Sequence, residues 1–165
     1  MSSTYTTANG IELINTGEQS GAWGDTTNTN LQIVDRVLTG IGSITLSGTA
    51  HTLTTTYGTL SEGMYRVLVL GGSPSGTNTI TVAPDDAQKT YMVYNNSGES
   101  AIFTQGSGAN VTVANGDAKL IYMDGAGTGA AVFDFTANLA MSSVNITGGT
   151  IDGTVIGGTT PAAVT

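Results

Sequence analysis

Apolar and polar positions change rhythm three times along this chain. Residues 1–24 are polar and glycine-punctuated, with a short apolar patch at Ile11, Leu13 and Ile14, and read as an extended arm with one short strand. Leu31, Val34 and Leu38 then recur at helical spacing, and Ile33 and Val37 widen the stripe, which predicts a single helix. Asp25 or Thr26 suits its N-cap, because either side-chain oxygen satisfies a free backbone N–H, and Gly40 suits the left-handed residue that commonly ends a helix. Trp23, just before that cap, is placed to fold back on Leu31 or to anchor the arm to a partner.

From residue 42 the pattern becomes short alternating runs separated by turn chemistry. The expected strands are Ser43–Leu46, His51–Thr54, Met64–Leu70, Thr79–Val82, Thr90–Tyr94, Ala101–Thr104, Asn110–Val113, Lys119–Met123 and Ala131–Phe135. Met64–Leu70, apolar almost throughout, reads as a central strand buried on both faces. Gly71–Gly76, 84–86, 95–98, 115–117 and 124–127 carry the turn residues between them. Many short strands joined by turns predict an antiparallel β-sandwich or small barrel.

The last rhythm is a loose repeat, Ile146-Thr-Gly-Gly-Thr150, Ile151-Asp-Gly-Thr154, Val155-Ile-Gly-Gly-Thr159. Each unit offers one or two β-branched side chains and then a glycine, too little apolar surface for one chain to form a core. Val144, Ile146, Ile151, Val155 and Ile156 therefore need identical neighbours, as in a fibre shaft; the alternative is a disordered Gly/Thr-rich tail. The expected organisation is an arm and helix at 1–40, a β-domain at 41–136 and a shaft or flexible tail at 137–165. The expected class is mainly β with one N-terminal helix.

Composition narrows the partners. Only 10% of residues are charged, and the net charge is -8 with just Arg36, Arg66, Lys89 and Lys119 on the basic side. Binding nucleic acid requires several cations on one face, which this chain cannot supply, and an acidic chain is repelled by anionic membranes. It has no cysteine, so neither disulfides nor thiolate chemistry are available. No apolar run is long enough to cross a bilayer, and the first residues lack the basic and apolar regions of a signal peptide.

Three elements resemble a known family. TYMVYNNSGES (90–100) and ANVTVANGDAKLIYMDG (109–125), within the run from Arg66 to Asp134, are similar to a β-domain frequent in bacteriophage tail-fibre and other virion structural proteins. GAWGDTTNTNLQIVD (21–35) resembles a segment near the start of such fibres, and IDGTVIGGTTPAA (151–163) resembles the beginning of the shaft. The resemblance implies a trimer, particle attachment through the arm and helix, and assembly in the host cytoplasm into an extracellular virion. Fibres of this type run on past such a TPAA element, so a receptor-binding tip is expected on another protein or is lacking.

Little points to chemistry. His51, the only histidine, lies among hydroxyls with no nucleophile-elbow motif around any serine, and reads as a solvated or hydrogen-bonded strand residue. Asp85-Asp86 does not continue into a calcium loop, and the glycines at 125–129 precede a strand rather than a phosphate-binding helix. No catalytic, cofactor or metal residues are expected. Tyr91, Tyr94, Asn95, Asn96 and Tyr122 are the candidates for a glycan site, against the plainer reading of rings packed at strand edges.

The sequence thus predicts a non-enzymatic, homotrimeric virion protein, a tail fibre or proximal fibre adaptor. Trp23, Leu31, Val34 and Leu38 would dock on the particle or on other copies, and Val144, Ile146, Ile151, Val155 and Ile156 would form the shaft interface. Its partners would be other virion proteins, with a distal fibre protein or host-surface glycan beyond them. The rivals are a head fibre or capsid decoration protein, and a carbohydrate-binding module.

Overall fold

The computed structural model describes residues 3–137. The arm forms a small antiparallel hairpin, β1 (Thr4–Tyr5) with β2 (Glu12–Leu13), followed by helix α1 (Trp23–Thr39). A seven-stranded sheet follows: β3 (Ile41–Thr54), β4 (Val67–Ala83), β5 (Lys89–Asn95), β6 (Ala101–Thr104), β7 (Val111–Val113), β8 (Ala118–Met123) and β9 (Val132–Asp134). The mainly β class with one N-terminal helix is as expected.

Strand directions are not. β3 and β4 run parallel along nearly their whole lengths, and β4 pairs in parallel with both β5 and β6; only β5–β8, β6–β7 and β8–β9 are antiparallel. The expected separate strands at 43–46 and 51–54 are one strand, and so are those at 64–70 and 79–82. Gly71–Gly76 reads as a turn by composition, yet it continues β4 because β3 supplies a partner at each residue from Gly71 to Pro74. Glycine is required at Gly72, where φ is +97 and a Cβ would meet the Leu46 carbonyl oxygen at 2.2 Å.

The long β3–β4 pair lets one strand serve two half-sheets. Val67–Leu70 of β4 pairs with β5, which leads to β8 and β9, whereas Asn78–Thr81 pairs with β6, which leads to β7. Between the halves the register slips: Gly48 faces Pro74, but Ala50 faces Thr79. The Asn78 side chain, fully buried, donates from Nδ2 to the Ser47 and Gly48 carbonyls and holds the bulge, as bulges that redirect strands between layers require. The sheet curls until its far edges almost meet, with Val132 N–H donating to the Ala109 carbonyl at 2.8 Å.

Inward side chains of both halves fill one core of Ile44, Leu46, Leu68, Leu70, Tyr91, Phe103, Ile121 and others. β4 alternates, so Leu68 and Leu70 are buried while Val67 and Val69 are half-buried. This corrects the reading of a central strand buried on both faces. Tyr91 closes one end, its hydroxyl donating to the Gly63 carbonyl, and burial pushes its pKa up.

The arm and helix lie against this barrel. Tyr5 stacks on Tyr57, Gly58 N–H donates to the Gly10 carbonyl at 2.7 Å, and Lys89 Nζ donates to Asn9 Oδ1 at 3.0 Å. Asn30 of α1 exchanges two hydrogen bonds with the Glu12 backbone. The helix starts at Trp23, earlier than Asp25 or Thr26 predicts, and no side-chain hydrogen bond caps it. Gly40 is extended rather than left-handed because the chain passes directly into β3. Val144, Ile146, Ile151, Val155 and Ile156, the expected shaft residues, lie outside the described residues.

Candidate functional site

Helix α1 has two unlike faces. Ile33, fully buried, faces the barrel, Arg36 donates to the Ser61 carbonyl at 3.2 Å, and its guanidinium lies 4.5 Å from the Tyr65 ring centre. On the other side Trp23, Leu31 and Leu38 are each more than 60% exposed, and Val34 is also exposed. All four sequence-predicted docking residues are therefore held exposed on one helix, with Leu31 at the rim of a groove against the sheet. Thr27, Leu31, Val34 and Leu38 of α1 follow a four-three-four spacing, the pattern by which helices form seams with one another. Trp23 does not fold back on Leu31, because it is itself the first residue of α1 and stands eight residues before Leu31 on the same helix.

A second apolar surface escaped sequence reading. In the half-sheet β3–β4–β5–β8–β9, Ile41 pairs with Val67, Val67 with Met92, and Met92 with Leu120. Phe135, just past β9, donates its N–H to the Leu120 carbonyl and extends the row. Directly paired residues project to the same face of a sheet, so these five side chains form an unbroken apolar row outside the barrel. Ile41, Met92 and Phe135 are exposed at 66%, 47% and 57%. Val69 and Tyr94 flank the row on one side; Tyr122, stacked on Phe133 with ring centres 4.9 Å apart, flanks it on the other. A hollow of 280 Å³ runs along it between Val67, Met92 and Leu120.

The two surfaces are continuous. A groove of 550 Å³ between helix and sheet is lined by both Leu31 and Ile41, and Leu38 precedes Ile41 by three residues. The row itself carries no charge; Lys119 at the edge of the hollow binds Asp134 Oδ2 at 2.8 Å, and Asp35 and Arg36 line the groove beside the helix. Desolvation pushes the Asp134 carboxyl up, but hydrogen bonds from Lys119 and Thr136 and the Lys119 charge outweigh it and hold the carboxyl at about 2.

The glycan cluster does not form as a unit. Tyr91 is inside the barrel, and Asn95 is fully buried, donating to the Glu99 and Val113 carbonyls and accepting from Ser97. Tyr94, Asn96 and Tyr122 of that set are exposed, Tyr94 and Tyr122 beside the apolar row. His51 Nε2 lies 2.9 Å from Glu62 Oε2. Asp124 Oδ1 accepts from the Ala126 and Ala131 N–H groups and organises a turn around 127–129.

A polar cleft of 470 Å³ separates the arm from the barrel end, lined by Asn9, Arg66, Lys89, Tyr91 and Asp124 among others. Burial alone lowers the Lys89 ammonium to about 8, and its partner is the arm's Asn9, so this lysine ties arm to barrel. Among the described residues no helix is long and apolar enough to cross a membrane.

No family model, characterised protein or solved structure matches this chain.

Proposed function

We propose that this chain is a structural, non-enzymatic component of a bacteriophage particle, a homotrimeric tail fibre or proximal fibre adaptor. The observation that carries the reading is the outward apolar stripe of α1, held by Ile33 on its opposite side and lying, except for Leu38, within the segment 21–35 that resembles one near the start of such fibres. A helix face with Trp23, Leu31 and Leu38 in water is costly for a monomer, since burying each such side chain is worth about 1.5–3 kcal/mol. Attachment outside a host must also survive dilution, which suits a multivalent apolar interface. The arm and helix attach the protein, the barrel spaces it, and the sequence beyond 137 begins the shaft.

The test is particle incorporation. Leu31→Lys with Leu38→Lys should leave the barrel folded yet abolish incorporation of a tagged chain into virions, and immunogold should place the wild-type chain on the tail. Gold on the capsid would make it a head fibre or decoration protein. Normal incorporation of the double variant would remove the role given to α1, and absence of the wild-type chain from particles would end the virion reading.

A further inference from the structure

We propose that the outer face of the β3–β4–β5–β8–β9 half-sheet, centred on the row Ile41–Val67–Met92–Leu120–Phe135, is where copies of this chain pack on one another. The inference rests on the fibre reading above and deepens it by naming the barrel surface that meets the other copies.

Three observations select a second copy as the occupant. The first is charge. In a chain of net charge -8, identical molecules can come together only where like charges do not face each other. The row carries none, and the charges at its margins come in opposite signs: Lys119 is paired with Asp134, and the groove toward the helix holds both Asp35 and Arg36. The row also contains methionine and phenylalanine with tyrosine beside it, the residue types enriched in protein interfaces.

The second observation is the contrast with the other half of the same barrel. There, equivalent outward positions are mostly threonines: Ala50 pairs with Thr79, Thr79 with Ile102 and Ile102 with Thr112, and Thr52 pairs with Thr81 and Thr81 with Thr104. One fold thus solvates one outer face in the ordinary way and leaves the other apolar. Core packing does not require that difference, because both halves already bury their inward residues.

The third is where the chain leaves. Phe135 ends the row, and the sequence continues from 138 to 165 with a repeat whose apolar side chains need identical neighbours. Copies packed by this face bring their exits together beside a common axis. A different protein seated there would not. The face is continuous with the α1 stripe across the groove between Leu31 and Ile41, so helix and sheet offer one surface to the same neighbour.

The absence of cysteine provides a clean test. Full-length Met92→Cys is compared with Thr112→Cys, which is outward and exposed on the other half-sheet. Both are treated with a maleimide while light scattering follows the mass of the same samples. The expected result is an oligomer in which the thiol at 92 reacts at least tenfold more slowly than that at 112. The two rates should converge on dilution to monomer. Equal rates in a sample that is oligomeric by mass would overturn the inference and leave the fibre reading intact, with α1 alone joining the copies. A monomer at every concentration would overturn the inference outright, while particle labelling would still decide the fibre reading.

Discussion

The two outer faces of this barrel share strands and differ in chemistry. β3 and β4 run through both halves, and their inward residues alternate into one core, yet outside the row Ile41–Val67–Met92–Leu120–Phe135 contrasts with Thr52–Thr81–Thr104. Inward alternation fixes the fold, because a one-residue slip would turn every core side chain to water. Outward composition is free to serve something else. On one half it serves solubility; on the other it makes a surface with no partner in its own chain.

The largest effect that would sharpen this contrast is inside. Phe103→Ala, at a position with no exposure, should cost about 3–5 kcal/mol and be visible as a large drop in the urea midpoint. Met92→Thr gives the apolar face the residue its counterpart carries. It should change the unfolding free energy of the monomer by less than about 0.5 kcal/mol and weaken association by about 1.5–3 kcal/mol, roughly 10- to 150-fold in Kd. Sedimentation at a series of concentrations would measure it. Were Met92→Thr as damaging to the fold as Phe103→Ala, the separation of inner and outer roles would fail.

Next comes the arm. Lys89 binds fewer protons folded than unfolded between its lowered value of about 8 and its ordinary value near 10.5. Stability should therefore rise with pH from about 8 upwards, by at most about 3 kcal/mol in total. Below pH 8 the cost of burying the ammonium is fully present. Arg66 and Asp124 line the same cleft, and the raised pKa of Tyr91 acts in the opposite direction only at higher pH. Lys89→Met should abolish the rise, read by denaturation at pH 7, 8 and 9; an unchanged slope would mean that the ammonium is hydrated.

The smallest expected effect belongs to the Lys119–Asp134 pair. Because the Asp134 carboxyl is held at about 2, its contribution is present above pH 4 and is lost as pH falls through 2. At neutral pH Asp134→Asn should cost no more than about 1 kcal/mol, and it should leave association nearly unchanged, because Lys119 and Asp134 are paired with the inward-facing Val93 and Ile121 and not with the outer row. Thermal melts and sedimentation of the same variant separate the two.

Much of this was legible in the sequence, and the failures have physical causes. The α1 stripe could be read from Leu31, Val34 and Leu38 because helical spacing is local. Its capping could not: Asp25 is a good N-cap by composition, but the chain is already helical at Trp23. The strands from Lys89 to Asp134 fell close to their expected places because each is short and bounded by turn residues. Gly71–Gly76 misled because glycine and proline report conformational freedom, whereas a long parallel neighbour decides how it is used. The apolar row was invisible for a different reason. Each strand contributes one residue to it, the ends are Ile41 and Phe135, and only strand order and register bring them together. The expected tyrosine–asparagine cluster failed on the same ground, since adjacency along β5 alternates across the sheet and sends Tyr91 and Asn95 inward while Tyr94 faces out.

The central claim is that the outward apolar surfaces of helix and sheet exist for other copies of the chain. The solution mass of the full-length protein, by light scattering behind a sizing column at tens of micromolar, tests it most directly. The account predicts a species of three chains of 16.6 kDa each. A single-chain mass that persists as concentration is raised would contradict it.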